Sequence, residues 1–131
     1  MANKIFLDTN IVVDIIDKSR SKHKKALEFL EYLIFEDYTI CISEDMLTTL
    51  FYILKDKKNT LIFFENLVFV DWSVLTFGLD TIKLATRLSL EYDLDLEDVL
   101  QCLCAKENGC DVLITNDKKF YDCDMQIATI E

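Results

Sequence analysis

The stretch that most constrains this chain is Ile5-Phe6-Leu7-Asp8-Thr9-Asn10-Ile11-Val12-Val13-Asp14-Ile15-Ile16. Three apolar residues of strand character run into a carboxylate, a hydroxyl and an amide, and an apolar pattern then resumes at helical spacing. The stretch reads as a strand turning directly into a helix, with Asp8 at the seam. At the carboxyl end of a buried parallel strand, side chains leave the sheet and face the crevice in which open α/β folds bind ligands. Asp8 is therefore a candidate to be the first of several carboxylates gathered around a divalent metal.

The rest of the chain repeats that alternation. Ser19 or Ser21 can cap a second helix whose apolar face runs through Ala26, Leu27, Leu30, Leu33 and Ile34. Residues 38–42 read as strand two. Ser43 then caps a helix carrying Met46, Leu47, Leu50, Phe51 and Leu54, which stops at the basic run 55–58. A shorter helix follows from Thr60, and residues 67–72 read as a third strand. Residues 79–92 fit an amphipathic helix with Ile82, Leu84, Ala85, Leu88 and Leu90. Asp95 opens another, ended by Gly109 as a left-handed cap. Val112-Leu113-Ile114 is a short continuous apolar run, the mark of a strand covered on both faces, and residues 125–130 supply a fifth. The pattern predicts an α/β fold, a mostly parallel five-stranded sheet between layers of helices. With 131 residues, no proline and only two glycines, one domain over 1–131 is expected, with no linker or internal repeat.

Net charge is −10, so a broad basic face for neutralising phosphates is not available, and any contact with nucleic acid must be local. Lys18, Arg20, Lys22, Lys24 and Lys25 nevertheless crowd one segment, with His23 among them. That segment is either a solvated helix start or a small phosphate-steering patch beside Asp8. His23 alone is a poor catalytic candidate and is expected on the surface. The five cysteines contain no CxxC and have no histidine pair to complete a zinc site. They are expected as free buried thiols of a cytoplasmic protein, with no secretory leader. The longest apolar run, 61–70, is broken by Glu65 and Asn66 and is too short to span a bilayer.

Two further carboxylates stand at element junctions: Asp98 early in the Asp95 helix, and Asp117 just after the Val112-Thr115 strand. Each of the three has an innocent role available, Asp8 as an N-cap, Asp98 as a complement to the helix dipole, and Asp117 as the cap of a turn. Helical geometry puts Asp98 with Cys102 and Ala105 on one half-buried face, and Glu97, Gln101 and Asn108 on a wet one. If strand one pairs with strand four at the sheet centre, Asp8 and Asp117 enter one crevice. Three carboxylates there would raise one another's pKa values unless a cation neutralised them. Mg²⁺ or Mn²⁺ suits such an oxygen donor set, and a metal-bound water is the reagent of phosphodiester hydrolysis. A phosphatase with an aspartyl nucleophile would need a second acid two residues after Asp8, where Asn10 stands. A dinucleotide site would need a glycine-rich turn after strand one, which is missing.

In order and spacing, Phe6-Leu7-Asp8-Thr9-Asn10, Ile42-Ser43, Leu96-Glu97-Asp98-Val99-Leu100-Gln101 and Leu113-Ile114-Thr115-Asn116-Asp117 resemble the PIN-domain family, the fold of VapC-like toxin ribonucleases. The resemblance covers nearly the whole chain. It implies a three-layer α/β/α sandwich, Mg²⁺ or Mn²⁺ held at Asp8, Asp98 and Asp117, and RNA cut by activated water. It also implies Asn10 and Thr115 as polar residues that orient the site. The toxin branch implies a homodimer inhibited by a small antitoxin.

One position departs from the pattern. The family carries a glutamate about two turns into the third helix, where this chain has Thr49, a poorer metal ligand that can at most help orient substrate. Asp45, four residues earlier on the same helical face, is a possible substitute acid. The departure leaves a second function open, a catalytically weakened PIN domain that binds a protein. The apolar surplus in 50–54 and 61–64 is explained mostly by the core, with the remainder available for a dimer or antitoxin surface.

Overall fold

A computed structural model describes residues 3–130, so Met1, Ala2 and Glu131 of the expected 1–131 domain lie outside the described residues. The chain begins with β1 (Lys4–Leu7), α1 (Thr9–Ile16) and α2 (His23–Phe35), followed by β2 (Thr39–Ser43) and α3 (Glu44–Ile53). Next come α4 (Lys57–Phe63), a π-helical turn (Phe64–Val68), a single turn α5 (Phe69–Asp71) and β3 (Ser73–Leu75). It closes with α6 (Leu79–Tyr92), α7 (Leu96–Glu107), β4 (Val112–Ile114) and β5 (Ile127–Ala128). The five strands form one parallel sheet in the order β3-β2-β1-β4-β5.

β1 is the centre because both its faces can be buried. Phe6 and Leu7 are wholly inaccessible, as are Ile42 on one side and Leu113 on the other. Each such side chain contributes about 1.5–3 kcal/mol. The strand order reverses at β1, so right-handed crossovers carry the helices of the two halves to opposite faces. Accordingly α1 packs on α2 and α3, while α6 packs on α7. The crevice at the carboxyl ends of β1 and β4 is where such a reversal leaves room for a ligand.

Of residues 67–72, expected as a strand, 67–71 are helical, and the third strand is Ser73–Leu75. Phe64 and Val68 lie four apart and are both buried, so the apolar run extends the α4 surface. Period alone cannot separate such a short run from a strand.

Neither Ser19 nor Ser21 caps α2, whose first turn follows Lys22 with no side-chain cap. Ser19 instead bonds Asp17 through its backbone N–H and its hydroxyl, at 3.0 and 2.7 Å. Ser43 does sit at the N-cap of α3, but its hydroxyl is buried without a partner. The short helix starts at Lys57 rather than Thr60, because Asp56 accepts from Asn59 N–H at 3.0 Å and fixes the turn earlier. Gly109, at φ +73°, is the expected left-handed stop. Of α6, only Thr81 and Ala85 are buried, and Leu90 is 82 % exposed. The apolar residues expected to dock this helix therefore largely face outward.

The cysteines are not all free. Cys102 of α7 and Cys123, in the segment between β4 and β5, are joined in a disulfide, and Cys41, Cys104 and Cys110 are unpaired. The partner lies 21 residues away and shares no motif with Cys102, so spacing could not reveal it. Burial pushes the Cys104 thiol up to about 12, which makes it an inert core group.

Candidate active site

Asp8 stands at the N-cap position of α1, yet its side chain makes no cap bond. The carboxylate turns inward, 4 % exposed, and its Oδ2 accepts a 2.8 Å hydrogen bond from the Thr115 hydroxyl. The Thr115 oxygen in turn accepts from the Asp117 backbone N–H at 3.0 Å. These contacts follow from the sheet. Leu7 pairs with Ile114, the next N–H, that of Asp8, donates to the Ile114 carbonyl at 2.9 Å, and the residues just past the pair meet across the seam. Asp117 also fills its innocent role, since its Oδ1 accepts from Lys119 N–H at 2.9 Å.

Asp98 lies in the first turn of α7, where Asp95 is the N-cap and accepts from the Asp98 N–H at 3.1 Å. It is half-buried. Burial, and then the charges of Asp95, Asp8, Asp117 and Glu97, push its carboxyl up to about 7. Asp8 is raised as well, by burial foremost and by Asp117 and Asp95, against the lowering pull of the Thr115 hydrogen bond. The fold thus brings Asp8, Asp98 and Asp117 within one another's electrostatic reach. The ion pair found among the described residues, Arg20 with Asp14, involves none of them.

The sequence reading put Glu97 and Gln101 on the wet face of α7, and the structure corrects both. Gln101 is 1 % exposed. Its Nε2 donates to Thr9 Oγ1 at 2.7 Å and to Glu97 Oε1 at 3.2 Å, while the Thr9 hydroxyl donates to the same Glu97 oxygen at 3.1 Å. Burial raises Glu97, with help from Asp45, Asp8 and Asp95, although the Thr9 bond lowers it. The face was misassigned because Gln101 through Ala105 are all buried, so α7 has no periodic wet side there to read. A signal was available in the i, i+4 spacing of Glu97 and Gln101, which lets two polar side chains join.

On α3, the Thr49 hydroxyl donates to the carbonyl of Asp45 in its own helix, at 3.3 Å. One oxygen of Asp45, Oδ1, is buried with no hydrogen-bond partner, and its charge reaches Glu97. Asn10 is exposed, on the rim of a groove of about 520 Å³ that it shares with Arg20, Lys22, Asn116 and Asp117. His23 is half-buried rather than free, because its Nδ1–H donates to the Asp14 carbonyl at 2.9 Å.

Among the described residues no three carboxylate, thiol or imidazole groups converge as a ready cage for a metal. The donor set still fits a hydrated hard cation. Mg²⁺ is commonly held by one or two carboxylates and keeps several waters. The raised carboxyls of Asp8 and Asp98, with no cationic partner among the described residues, are what such an ion would relieve.

A sequence profile of the PIN domain matches residues 5–125. Ribonuclease VapC1 of Aquifex aeolicus (strain VF5) is 35 % identical over 135 residues, which cover 99 % of this chain and 92 % of that protein. Among solved structures, VapC20 of Mycobacterium tuberculosis, a toxin described as cleaving the sarcin-ricin loop, superposes with a TM-score of 0.73 at 14 % identity, covering 88 % of this chain and 92 % of that one. VapBC2 of Rickettsia felis, solved bound to a DNA fragment from its promoter, gives 0.71 at 21 % identity over 96 % and 98 % of the two chains. Those two likenesses speak to the fold.

Proposed function

The chain belongs to the PIN-domain family, and on that premise we propose that it is a metal-dependent endoribonuclease, the toxin of a toxin-antitoxin pair. The observation that carries this reading is the buried Asp8 carboxylate, held by Thr115 and sharing its field with Asp98 and Asp117, with no basic partner among the described residues. Asp8, Asp98 and Asp117 would hold Mg²⁺ or Mn²⁺, which would supply a water of lowered pKa for attack on an RNA phosphodiester. Thr115 fixes the rotamer of Asp8 and keeps its lone pairs directed, and Asn10 lies where it can orient substrate at the rim. Thr9, Gln101 and Glu97 lock α7 to the first turn of α1, which holds Asp98 in place relative to Asp8.

Thr49 brings no carboxylate, and its hydroxyl is engaged with its own helix. Asp45, with its unpartnered buried oxygen, is the substitute acid of this proposal, and Glu97 adds negative charge from the other side. The same departure favours the second reading, a weakened PIN domain that binds a protein. Ile34, Phe35, Tyr52, Phe69 and Val70 are exposed and offer apolar surface for an antitoxin or a second copy of the chain. Among the described residues no helix is long and apolar enough to cross a membrane, and we take the cytoplasm as its location.

The test is cleavage of a mixed RNA pool by partner-free protein in Mg²⁺, Mn²⁺ or chelator, beside Asp8→Asn and Asp98→Asn. Metal-dependent cutting abolished by both substitutions supports the nuclease. Equal inertness of wild type and variants, with no calorimetric metal binding, would leave the protein-binding module.

A further inference from the structure

We propose that the connection between α1 and α2, together with the start of α2, is a track for the phosphates of single-stranded RNA leading to Asp8; the inference rests on the ribonuclease reading. Two adjoining grooves mark its course. The first, about 520 Å³, is lined by Asn10, Arg20, Lys22, Asn116 and Asp117 among others. The second, about 300 Å³, continues it along Lys22, Lys24, Lys25 and Asn116. Ser21, Lys22 and Asn116 line both. Because Asp117 and Asn10 belong to the first groove, a phosphate bound there is at the threshold of the acid cluster.

The charge distribution singles out this segment. Five of the 14 basic residues lie between positions 18 and 25 of a chain with net charge −10. A polyanion gains by docking here and is repelled over much of the remaining surface. Lys22, Lys24 and Lys25 are exposed and form no ion pair among the described residues. Arg20 is committed through Nε alone, at 2.9 Å from the buried Asp14 carboxylate, so its two terminal nitrogens have no protein hydrogen bond among the described residues.

The track is also set in advance. Asp17 accepts from Ser19, the Arg20 N–H donates to the Asp17 carbonyl at 3.2 Å, the His23 N–H to the Arg20 carbonyl at 3.0 Å, and the His23 ring to Asp14. A connection fixed by that many bonds loses little further freedom when it is occupied. The first groove is walled entirely by polar and charged side chains. That first groove suits a sugar-phosphate backbone, and the apolar Ala26 and Ile130 border only the second.

The test is fluorescence anisotropy with a short labelled 2′-O-methyl RNA, which resists cleavage, in Mg²⁺. Wild type is compared with the triple variant Lys22→Ala, Lys24→Ala, Lys25→Ala and with a control of equal charge change on other surfaces, Lys58→Ala, Lys83→Ala, Arg87→Ala. We expect the triple variant to bind about tenfold more weakly, and the slope of log affinity against log salt to fall by about 2, since single strands lose roughly 0.7 per phosphate contact. The control should keep the wild-type slope. Turnover of unmodified RNA by the triple variant should show a raised KM and little change in kcat. If the triple variant binds like wild type, or the control loses as much, while wild type cleaves RNA, the track is overturned and the nuclease stands. If wild type neither binds nor cleaves RNA, both fall. Tighter binding to a polyglutamate peptide than to the RNA also overturns the track.

Discussion

The Thr115 hydroxyl donates a 2.8 Å hydrogen bond to Asp8 across the central strand pair, and with the Thr9 backbone N–H it holds down a carboxyl that burial pushes up. Replacing Thr115 with valine keeps the volume and removes the donor. The Asp8 pKa should then rise further, so the acid limb of the pH-rate profile moves to higher pH. Activity near pH 6 should fall by about tenfold, and stability by about 1–2 kcal/mol. An unchanged acid limb would show that Asp8 does not set it.

Asp98 contributes to the pH dependence of stability, alongside the raised Asp8 and Glu97. Its folded pKa of about 7 lies above the ordinary aspartate value of 3.8, so the folded state binds the extra proton between those values. Its contribution therefore weakens as pH rises from about 4 to 7. Asp98→Asn should stabilise the metal-free protein above pH 7, by about 1 kcal/mol once solvent screening of a half-exposed group is allowed for. The gain should vanish near pH 4. Thermal melts in chelator across that range test the sign, and added Mg²⁺ should close the gap by stabilising wild type alone.

Gln101 and Thr9 should respond unequally. Thr9→Val removes a partner of both Gln101 Nε2 and Glu97 and should cost about 2 kcal/mol. Gln101→Leu removes the donor but also the buried, unpartnered Oε1, so it should cost less than about 1 kcal/mol. Denaturant midpoints decide, and a larger loss for Gln101→Leu would contradict the geometry.

Reduction should loosen the acid site from the rim. The Cys102–Cys123 bridge closes a loop of 21 residues that contains Asp117. Opening it should remove about 3 kcal/mol on the chain-entropy account. Melts with and without dithiothreitol measure the loss, and Cys102→Ala with Cys123→Ala should melt at the reduced value in both. Cys41→Ala, away from the bridge, should remain sensitive to the reductant.

These residues also mark what a single sequence can and cannot show. Asp8, Asp98 and Asp117 stand out as candidates because each lies at a junction where the period of the apolar pattern changes, and the strand order then links Asp8 to Asp117 through Thr115. The fold class was legible for the same reason. Glu97 and Gln101 were not, since α7 is buried around much of its circumference and offers no polar stripe. The Cys102–Cys123 bridge and the helical course of 67–71 depend on contacts made far along the chain, which leave no local trace. Ser19 and Ser21 look like caps because serine commonly is one, whereas Asp17 and Asp14 engage their neighbourhood first.

The register of β1 on β4 has one more consequence, for how such a chain tolerates change. Asp8 and Thr115 lie one residue beyond the Leu7 and Ile114 pair, so their separation is set by the backbone ladder rather than by a loop. Connections at the opposite end of the sheet, such as the turn at Asp37 before β2 or the one at Gly109 before β4, can lengthen at only about 0.6 kcal/mol for each doubling. Insertions there, including whole grafted peptides, should leave the acids where they are, whereas shifting either strand by a single residue would turn Asp8 away from its partners.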